Sequence, residues 1–394
     1  MKKILILGAG IYQVPLIKTA KRLGIYTIVA SIPGDNPGFE LADKVYSENT
    51  TDYAKILSIA RKEKIDGIIT TGTDVAVITI GRVCDTLGLT GLGFKSAEIA
   101  TDKLLMKSCY EKYGVRTARF RKIAFDDENY ADKLRDLEFP VMFKSVDSSG
   151  SRGITKVNSA DEFEKARDNV LDNTRSNYFL VEEFIDGEEF GAQAFVKDGE
   201  VQFILPHGDY VFKGDTGVPV GHFAPYALSP EVEEDARHQL RMAIKAMGLD
   251  NCAINADFIM HDGKTYVLEI GGRSGATCLA ELVSIYYGYD YYEKILLTAL
   301  GEEVDFSSPE KEGVPNASML LMSDKDGVIV SQTNSNPEDP DIVDVQFDYA
   351  PGHKVHKFKV GPHRIGHVIT KGKSLDDAVA LLHKALDNID IVVE

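Results

Sequence analysis

Tryptophan is absent and cysteine is scarce: the 394 residues include no Trp and 4 Cys. Cys84, Cys109, Cys252 and Cys278 stand far apart with no CxxC spacing. That speaks against a disulfide framework or a zinc site and for reduced thiols in the cytoplasm. Basic charge is also in deficit, with 44 Lys and Arg against 61 Asp and Glu and a formal net charge of −17. Duplex DNA and anionic membranes are therefore poor partners, although a local basic cluster can still hold a phosphate. No apolar run approaches the roughly 20 residues needed to span a bilayer. The opening MKKILILGAG is basic then apolar, but the run is short, lacks a cleavage site and enters a glycine turn. It is expected to be a buried first strand, not a signal peptide.

What is present is a composition of 44% hydrophobic and 27% charged residues, that of a globular chain. Its length calls for two or three domains. Residues 1 to about 95 alternate strand and helix: KILILG, a helix over Ile11–Leu23, IYTIVA, the turn SIPGDNPG, a helix over Thr51–Lys64, DGIITT, and a helix over Asp74–Leu87. This βαβα rhythm implies an α/β parallel sheet whose ligand crevice lies at the strands' carboxyl ends. From about Ser96 the pattern becomes α+β. Helical segments (Ser96–Tyr113) precede FRKIAF, FPVMFKSV, a Gly/Ser loop, ITKV, a helix at Ala160–Leu171, YFLVEEFIDGEEFGAQAFVK and VQFILPHG. Ala227–Leu300 joins a long helix, an acidic hairpin and further helices, and 301–394 closes with short strands and a helix at Ser374–Leu386.

Five stretches carry candidate chemistry. GAGIYQ holds Gly8 and Gly10 but has Gln13 at the third glycine position, so it is a weak dinucleotide site. Gly72-Thr73-Asp74 follows the third strand and suits either a helix cap or a substrate-pocket wall. In FPVMFKSVDSSGSRGI, Lys144 ends a strand before a small-residue loop, Asp147–Gly153, whose free amides suit phosphate oxygens. VEEFIDGEEF turns at Asp186-Gly187 and reads equally as a nucleotide-binding bend or as an acidic edge hairpin. The last stretch, AINADFIMHDGKTYVLEIGGRSG, is a hairpin with Asp257 on one arm and Glu269 on the other. A two-residue turn at Asp262-Gly263 would pair Asp257 with Leu268. A three-residue turn, Asp262–Lys264, would set Asp257 against Glu269. Facing carboxylates suit Mg²⁺.

The ordered set of Lys103, FPVMFK with its Ser/Gly loop, VEEFIDGEEF, and D-x11-E followed by Arg273 resembles the ATP-grasp superfamily over about 1–300, most strongly over 96–275. Members include D-alanine–D-alanine ligase, biotin carboxylase, purine-pathway ligases and L-amino acid ligases. The resemblance implies an N-terminal Rossmann-like domain (1–95) and an ATP-grasp domain (96–300). The latter would have a small lid subdomain at about 115–185 and a large subdomain at about 186–300 that sandwich ATP. A C-terminal α+β domain (301–394) would complete the large lobe. By the same resemblance, Lys103 and Lys144 hold ATP phosphates, and Ser148, Ser149, Gly150, Ser151 and Gly153 cover them. Glu182 meets the adenine amino group, Glu183, Phe184 and Ile185 line the hinge, and Glu189 takes the ribose hydroxyls. Asp257 and Glu269 bind Mg²⁺ (or Mn²⁺), and Arg273 holds the carboxylate and then the acyl phosphate.

One departure stands out. Where the superfamily commonly has E-x-N-x-R, this chain has Glu269-Ile270-Gly271-Gly272-Arg273. Gly271 offers no side-chain oxygen, so a second metal would need water or Asn255, which lies on Asp257's strand face. Alternatively, the glycines let substrate or backbone approach closely. Substrate contacts are expected from Gly72, Thr73, Asp74, His207, Lys213, Gly272, Arg273 and Ser274, and 207–223, which also holds Asp215 and His222, reads equally as a closing lid or as an ordinary long surface loop.

The resemblance thus implies an ADP-forming carboxylate–amine ligase. GHVITKGKSLDDAVALLHKAL resembles the small closing domain of purine-pathway and amino-acid ligases and favours amino-acid-like substrates. The competing readings are a biotin-carboxylase-like enzyme activating bicarbonate and a non-catalytic ATP-binding regulator. Small-molecule substrates are the expected partners, without nucleic acid or membrane, and a homodimer is compatible with this reading.

Overall fold

A computed structural model describes residues 1–148, 150, 152–212, 217–309 and 312–394. Ser149, Ser151, Lys213 and Asp215, named above, lie outside the described residues.

Four parallel strands open the chain: β1 (Lys3–Leu7), β2 (Tyr26–Ser31), β3 (Lys44–Ser47) and β4 (Gly67–Ile69), in the order β3-β2-β1-β4. Helices α1 (Val14–Arg22) and α2 (Tyr53–Glu63) connect β1 to β2 and β3 to β4, and α3 (Val77–Leu87) follows β4. Both faces of β1 are covered, so it is apolar at every position from Ile4 to Leu7. Ile4 and Ile6 pack towards α1, whereas Leu5 and Leu7 pack towards α2 and α3. The sequence pattern did not anticipate β3. As an edge strand it half-buries only alternate residues, and in four residues that leaves a faint signal.

The pair α4 (Phe94–Thr101) and α5 (Lys103–Tyr113) breaks at Asp102, whose carboxylate caps α5 by accepting from Leu104 N and Leu105 N. Next comes a four-stranded antiparallel sheet of β5 (Phe120–Ala124), β6 (Val141–Lys144), β7 (Ile154–Val157) and β8 (Tyr178–Glu183), ordered β5-β8-β6-β7. Helices α6 (Tyr130–Lys133) and α7 (Phe163–Leu171) cover it over a core of Phe143, Phe163 and Phe179.

The largest sheet has eight strands. They are β9 (Glu188–Lys197), β10 (Glu200–Val211), β11 (Pro219–Ala224), β12 (Cys252–His261), β13 (Lys264–Gly271), β14 (Asn316–Met322), β16 (Ile342–Phe347) and β18 (Arg364–Lys371). Their order is β13-β12-β9-β10-β11-β14-β18-β16, so three strands beyond residue 300 extend the sheet begun by β9–β13. The short strands β15 (Gly327–Asn334), β17 (Lys354–Val355) and β19 (Ile389–Val393) form a separate three-stranded sheet. On β9 and β12, Ala192, Ala194, Ile254 and Ala256 pack under α8 (Pro230–Met247). Phe195 and Ala253, on the other face, join a core with β1, α9 (Leu279–Tyr287) and α10 (Tyr291–Ala299). Helix α11 (Leu375–Asp387) covers the C-terminal strands. Arg364 of β18 pairs with Asp348, both buried, and lies 5.9 Å from the ring of Tyr12 in the Gly8–Gln13 loop. No helix among the described residues is long and apolar enough to cross a membrane.

Candidate active site

The acidic hairpin turns on two residues. Asp262 and Gly263 both take positive φ (49° and 70°) and His261 pairs with Lys264. Counting back from that turn alone would oppose Asp257 to Leu268. Between Asp257 and Phe258, however, the register shifts: Phe258 pairs with Val267 and Asp257 with Glu269, and Leu268 is the extra residue of a β-bulge. Neither simple turn is right; a two-residue turn plus a bulge brings the carboxylates together. Burial, then the charges of Glu269 and Asp209, push the Asp257 carboxyl up to about 7.

Lysines face these acids. Lys103, at the start of α5, reaches Glu269 Oε1 at 3.1 Å and the carbonyl of Ser148 at 2.8 Å. Lys144, at the end of β6, contacts Glu182 of β8. Lys107, one helical turn after Lys103, lies 2.9 Å from the other oxygen of Glu182. Sequence reading missed Lys107, although its i, i+4 spacing from Lys103 placed it on the same helix face. Glu182 is 1% exposed, so two ammonium groups already engage the carboxylate expected to meet adenine. Burial lowers the Lys107 and Lys144 pKa values to about 7, and neighbouring ammonium charges add to the shift.

The hinge residues divide. The Glu183 side chain turns away to Arg119 Nε (2.9 Å) and Glu138 N (3.0 Å). Its own N–H donates to Arg119 O, and Phe184 N–H donates to Pro140 O, both at 3.0 Å. Ile185 is half-buried, and Glu189 is exposed on β9. Glu189 shares a strand face with Gly191, which sits opposite Asp257. In the loop after β6, Ser148 Oγ donates to Asn173 O. Gly150 and Gly153 both have φ of +67°, and a Cβ at Gly153 would lie 2.8 Å from Asn173 Cβ.

Beyond β13, Arg273 Nη2 pairs with Asp74 Oδ2 at 2.8 Å and Nη1 donates to Ser274 O at 3.3 Å. Burial opposes the guanidinium charge, but Asp74, Asp257 and Glu269 hold its pKa above the usual value. Gly72 (φ +64°) donates to Ser274 O at 3.2 Å, which docks the 72–74 loop on the 273–276 loop. A Cβ at Gly272 would meet Leu92 at 2.7 Å. Gln193 of β9, another residue missed from sequence, is 1% exposed; it donates to Asn255 Oδ1 (2.6 Å) and accepts from Gly275 N (2.9 Å). That bond occupies one of the two lone pairs of Asn255 Oδ1. His207 lies in the same row of the sheet as Gly191 and Asp257. Its Nδ1 and that of His222 both meet Asp209 Oδ1 (3.0 and 2.6 Å), while Gln193 Nε2 faces His207 Nε2 at 3.4 Å. Because Gln193 presents a donor there, His207 carries its proton on Nδ1.

Residues 137–281 match the ATP-grasp domain family and residues 319–394 match the L-amino acid ligase C-terminal domain 2. The whole chain superposes on phosphoribosylglycinamide synthetase from Anaerococcus prevotii with a TM-score of 0.87 and 35% identity, covering 100% of both chains. The chain belongs to the ATP-grasp superfamily of ligases. L-amino acid ligase from Bacillus licheniformis has the same fold (TM-score 0.82, 20% identity, 100% of this chain and 99% of that one). Among curated proteins, alanine–anticapsin ligase of Bacillus subtilis (strain 168) is 22% identical over 295 residues, 68% of this chain and 62% of that protein. The carbamoyl phosphate synthase large chain of Clostridium beijerinckii is 25% identical over 70% of this chain, which spans only 27% of that protein. In this ATP-grasp chain, ion pairs and charge interactions link Lys103, Lys144, Glu182, Asp257, Glu269, Arg273 and Asp74.

Proposed function

We infer that this chain is an ADP-forming ligase that joins an amino-acid-type carboxylate to an amine through an acyl phosphate, using ATP and Mg²⁺ (or Mn²⁺). One observation carries the reading: Lys103 pairs with Glu269 of the facing Asp257–Glu269 pair, and the charges of Lys144 and Arg273 act on the same carboxylates. Two facing carboxylates of which one is pushed up to about 7 suit a divalent cation, whose hard oxygen ligands they would supply. When bound, the ion neutralises phosphate charge. Lys103 and Lys144 hold the phosphates in line, and Arg273 steers the substrate carboxylate. A carboxylate oxygen forms the new bond to the γ-phosphorus as the bond to ADP breaks. Arg273 steadies the acyl phosphate until the amine, its proton given up to solvent, attacks the acyl carbon; the bond from that carbon to the phosphate oxygen breaks, phosphate leaves, and the new amide nitrogen sheds its extra proton to solvent. Glu189 and the 183–185 hinge are assigned to the ribose and adenine. The substrates are small molecules, and the four cysteines, all free, suit a reducing cytoplasm.

The test is phosphate release with Mg-ATP over a panel of paired amino acids, followed by mass spectrometry of the product. ATP binding without phosphate release for any pair would refute the reading, and ADP release driven by bicarbonate alone would replace it with a carboxylase.

A further inference from the structure

If the carboxylate held by Arg273 belongs to an amino acid, its ammonium group needs a counter-charge of its own. Asp257 and Glu269 are assigned to the metal. Of the carboxylates whose charge acts on Arg273, Asp74 remains, at the carboxyl end of the parallel sheet, where the crevice of such a sheet opens. Its Oδ2 is fixed by Arg273 at 2.8 Å, whereas Oδ1 makes no hydrogen bond among the described residues. The side chains of Asp74 and Arg273 are 23% and 16% exposed, so both reach solvent from largely buried positions. A guanidinium and a carboxylate held one hydrogen bond apart present the two charges that an α-amino acid presents in reverse.

Gly271 fits the same picture. A Cβ there would lie 3.2 Å from Asp74 Oδ1 and 3.4 Å from Arg273 Cζ, so an asparagine, as in the superfamily's E-x-N-x-R, would crowd the free oxygen. The loop bearing Asp74 cannot simply move aside. Thr71 Oγ1 donates to Tyr12 O at 2.9 Å, and a Cβ at Gly72 would meet Tyr12 Cβ at 2.8 Å.

Resting on the ligase reading above, we propose that Asp74 Oδ1 binds the α-ammonium of the donor amino acid and that Gly271 is the floor of this subsite. The missing asparagine is then the opening that makes room for an ammonium beside Arg273. The carboxylate donor is accordingly an α-amino acid with a free ammonium group.

The test is calorimetric binding, with Mg²⁺ and a non-hydrolysable ATP analogue, of α-amino acids and of the matching acids that lack the amino group. The wild-type protein should prefer the amino acids. Asp74→Asn should weaken amino-acid binding roughly ten- to a hundred-fold and leave the des-amino acids within about two-fold. Asp74→Glu should recover most of the loss. Gly271→Asn should weaken amino-acid binding without weakening that of the nucleotide analogue. An equal loss of both acid classes in Asp74→Asn would mean that Asp74 only props Arg273, and it would overturn the proposal. So would a wild-type protein that binds both classes alike, or neither. Asp74-dependent amino-acid binding without ADP formation from any amine pair would sink the ligase reading and leave the subsite standing. ADP formation indifferent to the α-ammonium would do the opposite.

Discussion

Asp257→Asn should stabilise the metal-free protein above neutral pH while disabling the enzyme. In an unfolded chain an Asp carboxyl titrates at about 3.9, whereas in the folded protein burial and the Glu269 and Asp209 charges push Asp257 up to about 7. Between these values the folded state holds an extra proton, so stability falls as pH rises from about 4 to about 7, and the whole cost is present above it. Three units at 1.36 kcal/mol each set a ceiling of about 4 kcal/mol. Because the side chain is only half-buried, water screens part of this, and we expect about 1–2 kcal/mol at pH 8. Asparagine keeps the shape and removes the charge. Calorimetric unfolding with a chelator should therefore give a higher Tm for the variant at pH 8, a difference that vanishes near pH 4. Added Mg²⁺ should raise the wild-type Tm at pH 8 and barely move the variant's. If the variant is less stable than wild type at pH 8 without metal, Asp257 is not the strained carboxylate described here.

Three further outcomes are expected. Glu269→Ala should abolish ADP formation with unfolding midpoint and circular dichroism little changed; full turnover would remove Glu269 from the metal site. Arg273→Ala should cut kcat/KM for ADP formation by roughly 10²-fold or more while nucleotide affinity, read by calorimetry, stays within a few-fold; equal losses of both would contradict its place on the carboxylate. Gly275→Ala should cost about 1–3 kcal/mol in thermal unfolding, because a Cβ there would lie 2.3 Å from Leu279 Cδ1 and 2.7 Å from Asn255 Oδ1; a variant as stable as wild type would show that the 273–278 loop is slack.

The features legible in the sequence are those with a local period. The parallel βαβα rhythm, the small-residue loop after Lys144 and the D-x11-E hairpin each announce themselves within about thirty residues. Features built by long-range pairing leave no such mark. Nothing local joins β14, β16 and β18 to the sheet that starts at β9, because antiparallel partners need only compatible edges. The bulge at Leu268 is equally silent: alternation and turn residues alone predict a register, and one extra residue reverses which face every side chain takes. Lys107 and Gln193 escaped notice for a different reason. Each is an ordinary residue in its own element and gains its role from partners on other elements, Glu182 for one and Asn255 and Gly275 for the other.

Gly271 shows most clearly how a sequence pattern misleads when read alone. Against E-x-N-x-R it registers as a lost metal ligand and invites the reading of a decayed enzyme. In space the position faces Asp74 and Arg273, residues 199 apart in the chain and paired at 2.8 Å. The glycine's Cβ direction meets the carboxylate oxygen at 3.2 Å and the guanidinium carbon at 3.4 Å, so this charged pair packs directly against the position where an asparagine would stand. Asn255, the oxygen that the sequence offers in its place, already accepts from Gln193. If the glycine serves the proposed ammonium subsite at Asp74, the Gly271→Asn and Asp74→Asn variants both lose amino-acid binding while des-amino acids still bind Asp74→Asn.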